Sequence, residues 1–262
     1  MKLELVPLLA VQRDLYRMPR GFERFREYLR TMIDPGTKDL QLPLSGMNPM
    51  GKDHVPELLD RLIAINAEEA AARAAAQAER SLENLRGDFR VCLVLSDDLK
   101  GGWTNRFTSE LTHRLGERAY RKRGWITGVL WTSEAPSPED VAGEVLASIF
   151  RTAHVLEHAE ASTLGAILAQ EGYAMKAAGL TAPKLEDDDL AYTREVLAPL
   201  LGRSDSATLI AALFGDAAAR ELGHEPLGLS PRAGLALALH DAWERHPPPA
   251  SRRRTTEGAE QP

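Results

Sequence analysis

Two apolar runs, Phe89–Leu95 and Trp125–Trp131, stand on either side of a helical pattern from about Thr104 to Lys122, and this arrangement constrains the fold most. FRVCLVL holds five apolar residues in a row, Val91 to Leu95, so it reads as a buried strand, and WITGVLW reads as a second. A helix opened by Ser137-Pro138-Glu139 and running to about Glu160 completes a β-α-β-α succession. That succession favours parallel pairing of the two strands through a right-handed crossover. Two strands make too small a sheet to stand alone. The rest of the chain offers no convincing third strand, and Lys2–Leu5 is the one segment suited to adding an edge.

Everything around this unit is helical or loop. Apolar residues from Leu15 to Met32 recur at three- and four-residue steps, predicting one or two amphipathic helices interrupted near Pro19-Arg20-Gly21. Asp34–Gly51 holds three Pro and three Gly with Asp34-Pro35-Gly36 turn chemistry, and its Leu40, Leu42, Leu44, Met47 and Met50 place it against the core. One long helix is expected over about 56–85, its second half an alanine run fitted to helix pairing or self-association. After residue 160 the pattern predicts helices at Ser162–Ala178, Glu186–Leu201, Ser206–Leu222 and Ser230–His246. The fold class is therefore mixed α/β and helix-dominated: a small β-α-β-α unit at about 87–160 flanked by N-terminal and C-terminal helices. Residues 1–246 form one compact domain, with 247–262, rich in Pro and Arg, as a disordered tail.

Composition narrows the function classes. The 262 residues carry a formal net charge of −6, which argues against a chain built for nucleic acid or an anionic membrane. No window approaches the roughly 18 uncharged apolar residues that a spanning helix requires, and Met1–Val11 makes a poor signal peptide. The single Cys92 fits a reducing, cytoplasmic setting and, lying mid-strand, reads as a packed core thiol. Arg114, Arg118, Arg121, Lys122 and Arg123 form a basic face, read as solvated because stacking aromatics and a larger basic field are missing. No G-x-S-x-G elbow is present.

One motif stands above background. His154-Val155-Leu156-Glu157-His158 has the form H-x-x-E-H on a helix, so two imidazoles four residues apart share a face and can converge on Zn²⁺ beside a carboxylate. The string resembles the signature of the inverted zinc metallopeptidases, the pitrilysin and insulysin class. The resemblance implies His154 and His158 as metal ligands, Glu157 as general base, and a further Glu on a later helix. It covers fewer than a dozen residues, and this chain is shorter and more helical around the motif than that family. Glu221, His224, Glu225, His113, Glu171, His240 and Glu244 are all available as a third ligand, so none is singled out. Glu110-x-x-His113 and Glu221-x-x-His224 also have the spacing of di-iron carboxylate bundles.

A second candidate lies between the first strand and the following helix. Lys100, Gly101, Gly102 and Arg106 combine cations with a glycine pair at a strand's carboxyl end, where α/β sheets hold small anions. Asp97-Asp98 beside them would repel a phosphate unless a cation intervened. Three expectations follow: a metal-dependent hydrolase-like enzyme acting on a small molecule or peptide, a non-catalytic homo-oligomerising or interaction protein using the 56–85 helix, and a small anionic-ligand binder at 96–106.

Overall fold

A computed structural model describes residues 1–99, 104–116 and 118–245. It is mixed α/β and dominated by helices. The chain runs β1 (Lys2–Leu5), α1 (Leu9–Leu15), α2 (Phe22–Met32), α3 (His54–Ala64), α4 (Ala67–Ser81), β2 (Asp88–Ser96), α5 (Arg106–Gly116), α6 (Arg118–Lys122) and β3 (Trp125–Trp131). It continues through α7 (Pro138–His158), α8 (Leu164–Ala177), α9 (Asp187–Leu197), a 3-10 turn (Ala198–Leu200), α10 (Ser206–Phe214), α11 (Asp216–Glu221) and α12 (Ala233–Arg245). Lys100, Gly101, Gly102 and the tail 247–262 lie outside the described residues.

The sheet has three strands in the order β1-β2-β3, parallel throughout, so the Lys2–Leu5 edge is the third strand that the two apolar runs needed. β1 pairs only with the first half of β2, Asp88–Val91. Beyond it a side chain takes the place of a strand. Gln12 of α1, fully buried, donates from Nε2 to the Leu93 carbonyl at 2.9 Å and accepts the Leu95 amide on Oε1 at 2.9 Å. A buried sheet edge otherwise leaves orphan backbone groups at a cost of about 1–3 kcal/mol each.

α7 lies on one face of the sheet, where a Cβ on Gly128 would come within 3.3 Å of Val145. Its N-terminus is set by a capping box between Ser137 and Asp140. Val145, Ile149 and Ala153 of α7 are fully buried, whereas Leu156, one turn further on, stands exposed at 45% beyond the edge of the packing.

The helix expected over 56–85 is two helices. Asn66 takes the left-handed conformation (φ 55°) and breaks it, a role open to Asn because its short polar side chain tolerates that region. The alanines of α4 are not an outward arm: Ala67, Ala70, Ala71, Ala74, Ala75 and Ala78 are buried within the chain, where α4 packs on α7 and β1. The pattern over Ser206–Leu222 likewise divides at Gly215 (φ 87°), where any Cβ would meet the Ser230 carbonyl at 2.3 Å. The loop 34–51 packs inward as its apolar residues required, with Leu44 and Met47 buried.

Candidate functional site

The carboxyl edge of the sheet gathers polar groups from distant parts of the sequence. Asp97, just past β2, is 2% exposed. Its Oδ1 lies 2.8 Å from His54 Nε2 and its Oδ2 accepts from Asn48 Nδ2 at 2.8 Å. The Thr132 hydroxyl, just past β3, stands 3.0 Å from both Asp97 Oδ1 and Asp98 Oδ1 and can donate to one at a time. A carboxylate so placed sets the imidazole's orientation. Asn48 and His54 left no mark in the sequence, because an irregular loop and a helix start deliver them.

Arg106 is not free to receive an anion. Its guanidinium bonds Asp98 (3.1 Å), Glu110 (3.1 Å) and Glu134 (2.7 Å) and stacks 4.2 Å from the centroid of Trp131. Burial pulls its pKa down and these carboxylates more than restore it, so it is held above its ordinary value. Glu110 passes the network on to Arg114 (2.7 Å) and Arg232 (2.9 Å), and Arg114 and Arg151 both bond the fully buried Glu171. Burial pushes Glu171 up, but Arg151 and Arg114 outweigh it and bring it to about 2. Glu110 is likewise raised by burial and lowered further by Arg114, Arg232 and Arg106, ending far below the carboxylate range. Part of the basic face read as solvated is therefore interior: Arg114 is a structural cation, whereas Arg118 and Arg121 pair with Glu160 and Arg123 with Asp39. The two E-x-x-H spacings do not come together either, since Glu110 serves guanidiniums, His113 faces Glu144 at 3.5 Å and Glu221 accepts from Asn105.

A cavity of about 580 Å³ lies on the sheet face opposite α7. Val94 and Ser96 of β2 and Thr127, Val129 and Trp131 of β3 form its floor, and the 40–46 segment, α5 and α6 its walls. Most of its polar lining is hydroxyl: Ser45, Thr104, Thr108, Thr112 and Tyr120 join Ser96. Its two charged-type residues are already engaged, Arg123 by Asp39 and His113 by Glu144. Thr127 is 2% exposed and its Oγ1 has no hydrogen-bond partner among the described residues. The signal was available in the sequence: WITGVLW has one hydroxyl in an apolar strand, two residues before Val129 and four before Trp131, hence on their face.

The H-x-x-E-H residues sit at the far end of α7. The His154 and His158 rings stack at 4.4 Å with 25° between planes, and His158 Nδ1 lies 3.2 Å from the His154 carbonyl. Burial, then the neighbouring His158, push the His154 imidazole below its ordinary value. Glu157 is exposed. Among the described residues no group of three or more His, Cys, Asp or Glu is placed to hold a metal ion. Cys92 is buried in the core. No helix among the described residues is long and apolar enough to cross a membrane.

No family model matches the chain, and no curated protein and no solved structure matches it either.

Proposed function

We propose that this protein binds a small, uncharged, partly apolar molecule in the cavity between the sheet and α5–α6. The observation that carries this reading is the Thr127 hydroxyl, buried in the cavity floor without a partner among the described residues. An unpaired buried hydroxyl costs about 1–3 kcal/mol, a cost that a bound donor or acceptor would remove. Hydroxyl groups both donate and accept, and the engaged charges of Arg123 and His113 leave a wall suited to a neutral ligand. The test is organic extraction and mass spectrometry of chain purified under native conditions, repeated for Thr127→Val. A co-purifying neutral compound whose occupancy falls in the variant supports the reading; equal occupancy in both, or an anionic compound, sinks it.

A second reading is the metal-dependent hydrolase, with Zn²⁺ on His154 and His158 and Glu157 as base, acting on a small molecule or peptide. One contact favours it: the His158 Nδ1–His154 carbonyl pairing leaves Nε2 as the ligating atom, as an oriented metal-binding imidazole requires. Elemental analysis of chain purified without chelator tests it, and a metal-free chain that also resists reconstitution removes it.

A further inference from the structure

The groove at the end of α7 has a chemistry of its own. It holds about 620 Å³ between the C-terminal part of α7, α8 and α12. One wall is Tyr173, its ring 5.3 Å from that of His154, which stacks in turn on His158. Phe150 braces Tyr173 edge-on at 6.5 Å. The other wall is Trp243, with Lys176 Nζ 5.1 Å from its ring centroid and Arg245 on the exposed rim. Two features ask for a ligand. Large aromatic faces are left partly open, Tyr173 at 36% exposure. The His154 Nδ1 atom is buried with no hydrogen-bond partner among the described residues, although the ring borders the groove.

The charges around the groove decide the ligand's sign. Among the described residues Lys176 and Arg245 line it, and no carboxylate does. The acids on the flanking helices are not in its lining: Asp241 is bonded to Arg194 at 2.5 Å, Glu171 is enclosed by Arg151 and Arg114, and Glu157 and Glu244 are exposed. We infer that this groove is a second binding site, separate from the sheet cavity, that takes a flat aromatic anion such as an aryl carboxylate. Its ring stacks on Tyr173 and Trp243 while its charge meets Arg245 and Lys176.

The experiment titrates the full chain, in EDTA, with 2-naphthoate and with the neutral 2-naphthalenemethanol, following the probe's fluorescence. The expected result is 1:1 binding of the carboxylate, about tenfold tighter than the alcohol. Arg245→Gln removes that preference, Tyr173→Ala weakens both probes, and Thr127→Val changes neither. Arg245 and Tyr173 are exposed enough for both variants to fold, which circular dichroism checks. Equal affinity for the two probes, no binding, indifference to both groove variants, or binding that appears only when Zn²⁺ replaces EDTA would each overturn the assignment. The last outcome hands the two imidazoles to the metal reading.

Discussion

Thr127 and Glu171 are both buried polar residues, the first without a hydrogen-bond partner among the described residues and the second enclosed by Arg151 and Arg114. Thr127→Val keeps the shape and deletes the unpaired hydroxyl, so the ligand-free chain should gain about 1 kcal/mol in a urea titration. A loss of stability would show that the hydroxyl is satisfied in the folded chain. Glu171→Gln takes the counter-ion from the buried Arg151 and leaves Arg114 with Glu110 alone, and should cost about 3–5 kcal/mol. The same residue sets part of the acid limb. Its folded value of about 2 lies below the ordinary 4.5, so its stabilisation is complete above pH 4.5 and is lost as pH falls toward 2. Stability measured across that window should therefore fall less steeply for Glu171→Gln than for the natural chain.

The edge of β2 is closed by Gln12 of α1, and the alanine face of α4 by α7 and β1. Gln12→Leu leaves the Leu93 carbonyl and the Leu95 amide, on the buried half of the β2 edge that β1 does not cover, without the Gln12 partner, and should destabilise by about 2 kcal/mol or more. A neutral effect in denaturant titration would mean that water or a backbone shift replaces the amide. Ala71→Leu places extra methylenes where α4 lies inside the fold, with an expected cost of about 1–3 kcal/mol and no change in sedimentation mass. A solvent-facing oligomerisation arm predicts the reverse: unchanged stability and altered mass. Asn66 explains why periodicity alone produced one helix at 56–85: a left-handed residue interrupts the backbone without interrupting the apolar spacing.

The described residues hold two apolar clusters, one around the sheet, α4 and α7, the other among α8 to α12 with Leu111 of α5. The chain of Arg106, Glu110, Arg114, Glu171, Arg151 and Arg232 ties α5, α7 and α8 to the turn before α12. A largely buried charged network is costly to break at any single point. The two clusters should therefore unfold in one transition, with near- and far-ultraviolet circular dichroism giving the same midpoint; separated midpoints would show that the network does not couple them.

What the sequence determined by itself is what local periodicity and turn chemistry control. The two apolar strands, the capped start of α7 and the helical C-terminal half all follow from spacing and caps within a few residues, and the parallel pairing follows from the helical crossover between the strands. The H-x-x-E-H spacing was legible in the same way, and the stacking of His154 on His158 is its direct result. What only tertiary structure decided is which long-range partners meet. Whether Arg106 offers its charge to a ligand or spends its donors on Asp98, Glu110 and Glu134, and whether Asn48 and His54 reach Asp97, depends on segments that no pattern links. The physical reason is range: backbone propensity acts over one or two turns, whereas the pairing of a buried charge or hydroxyl is fixed by desolvation and by which distant groups the packed core brings within hydrogen-bond reach.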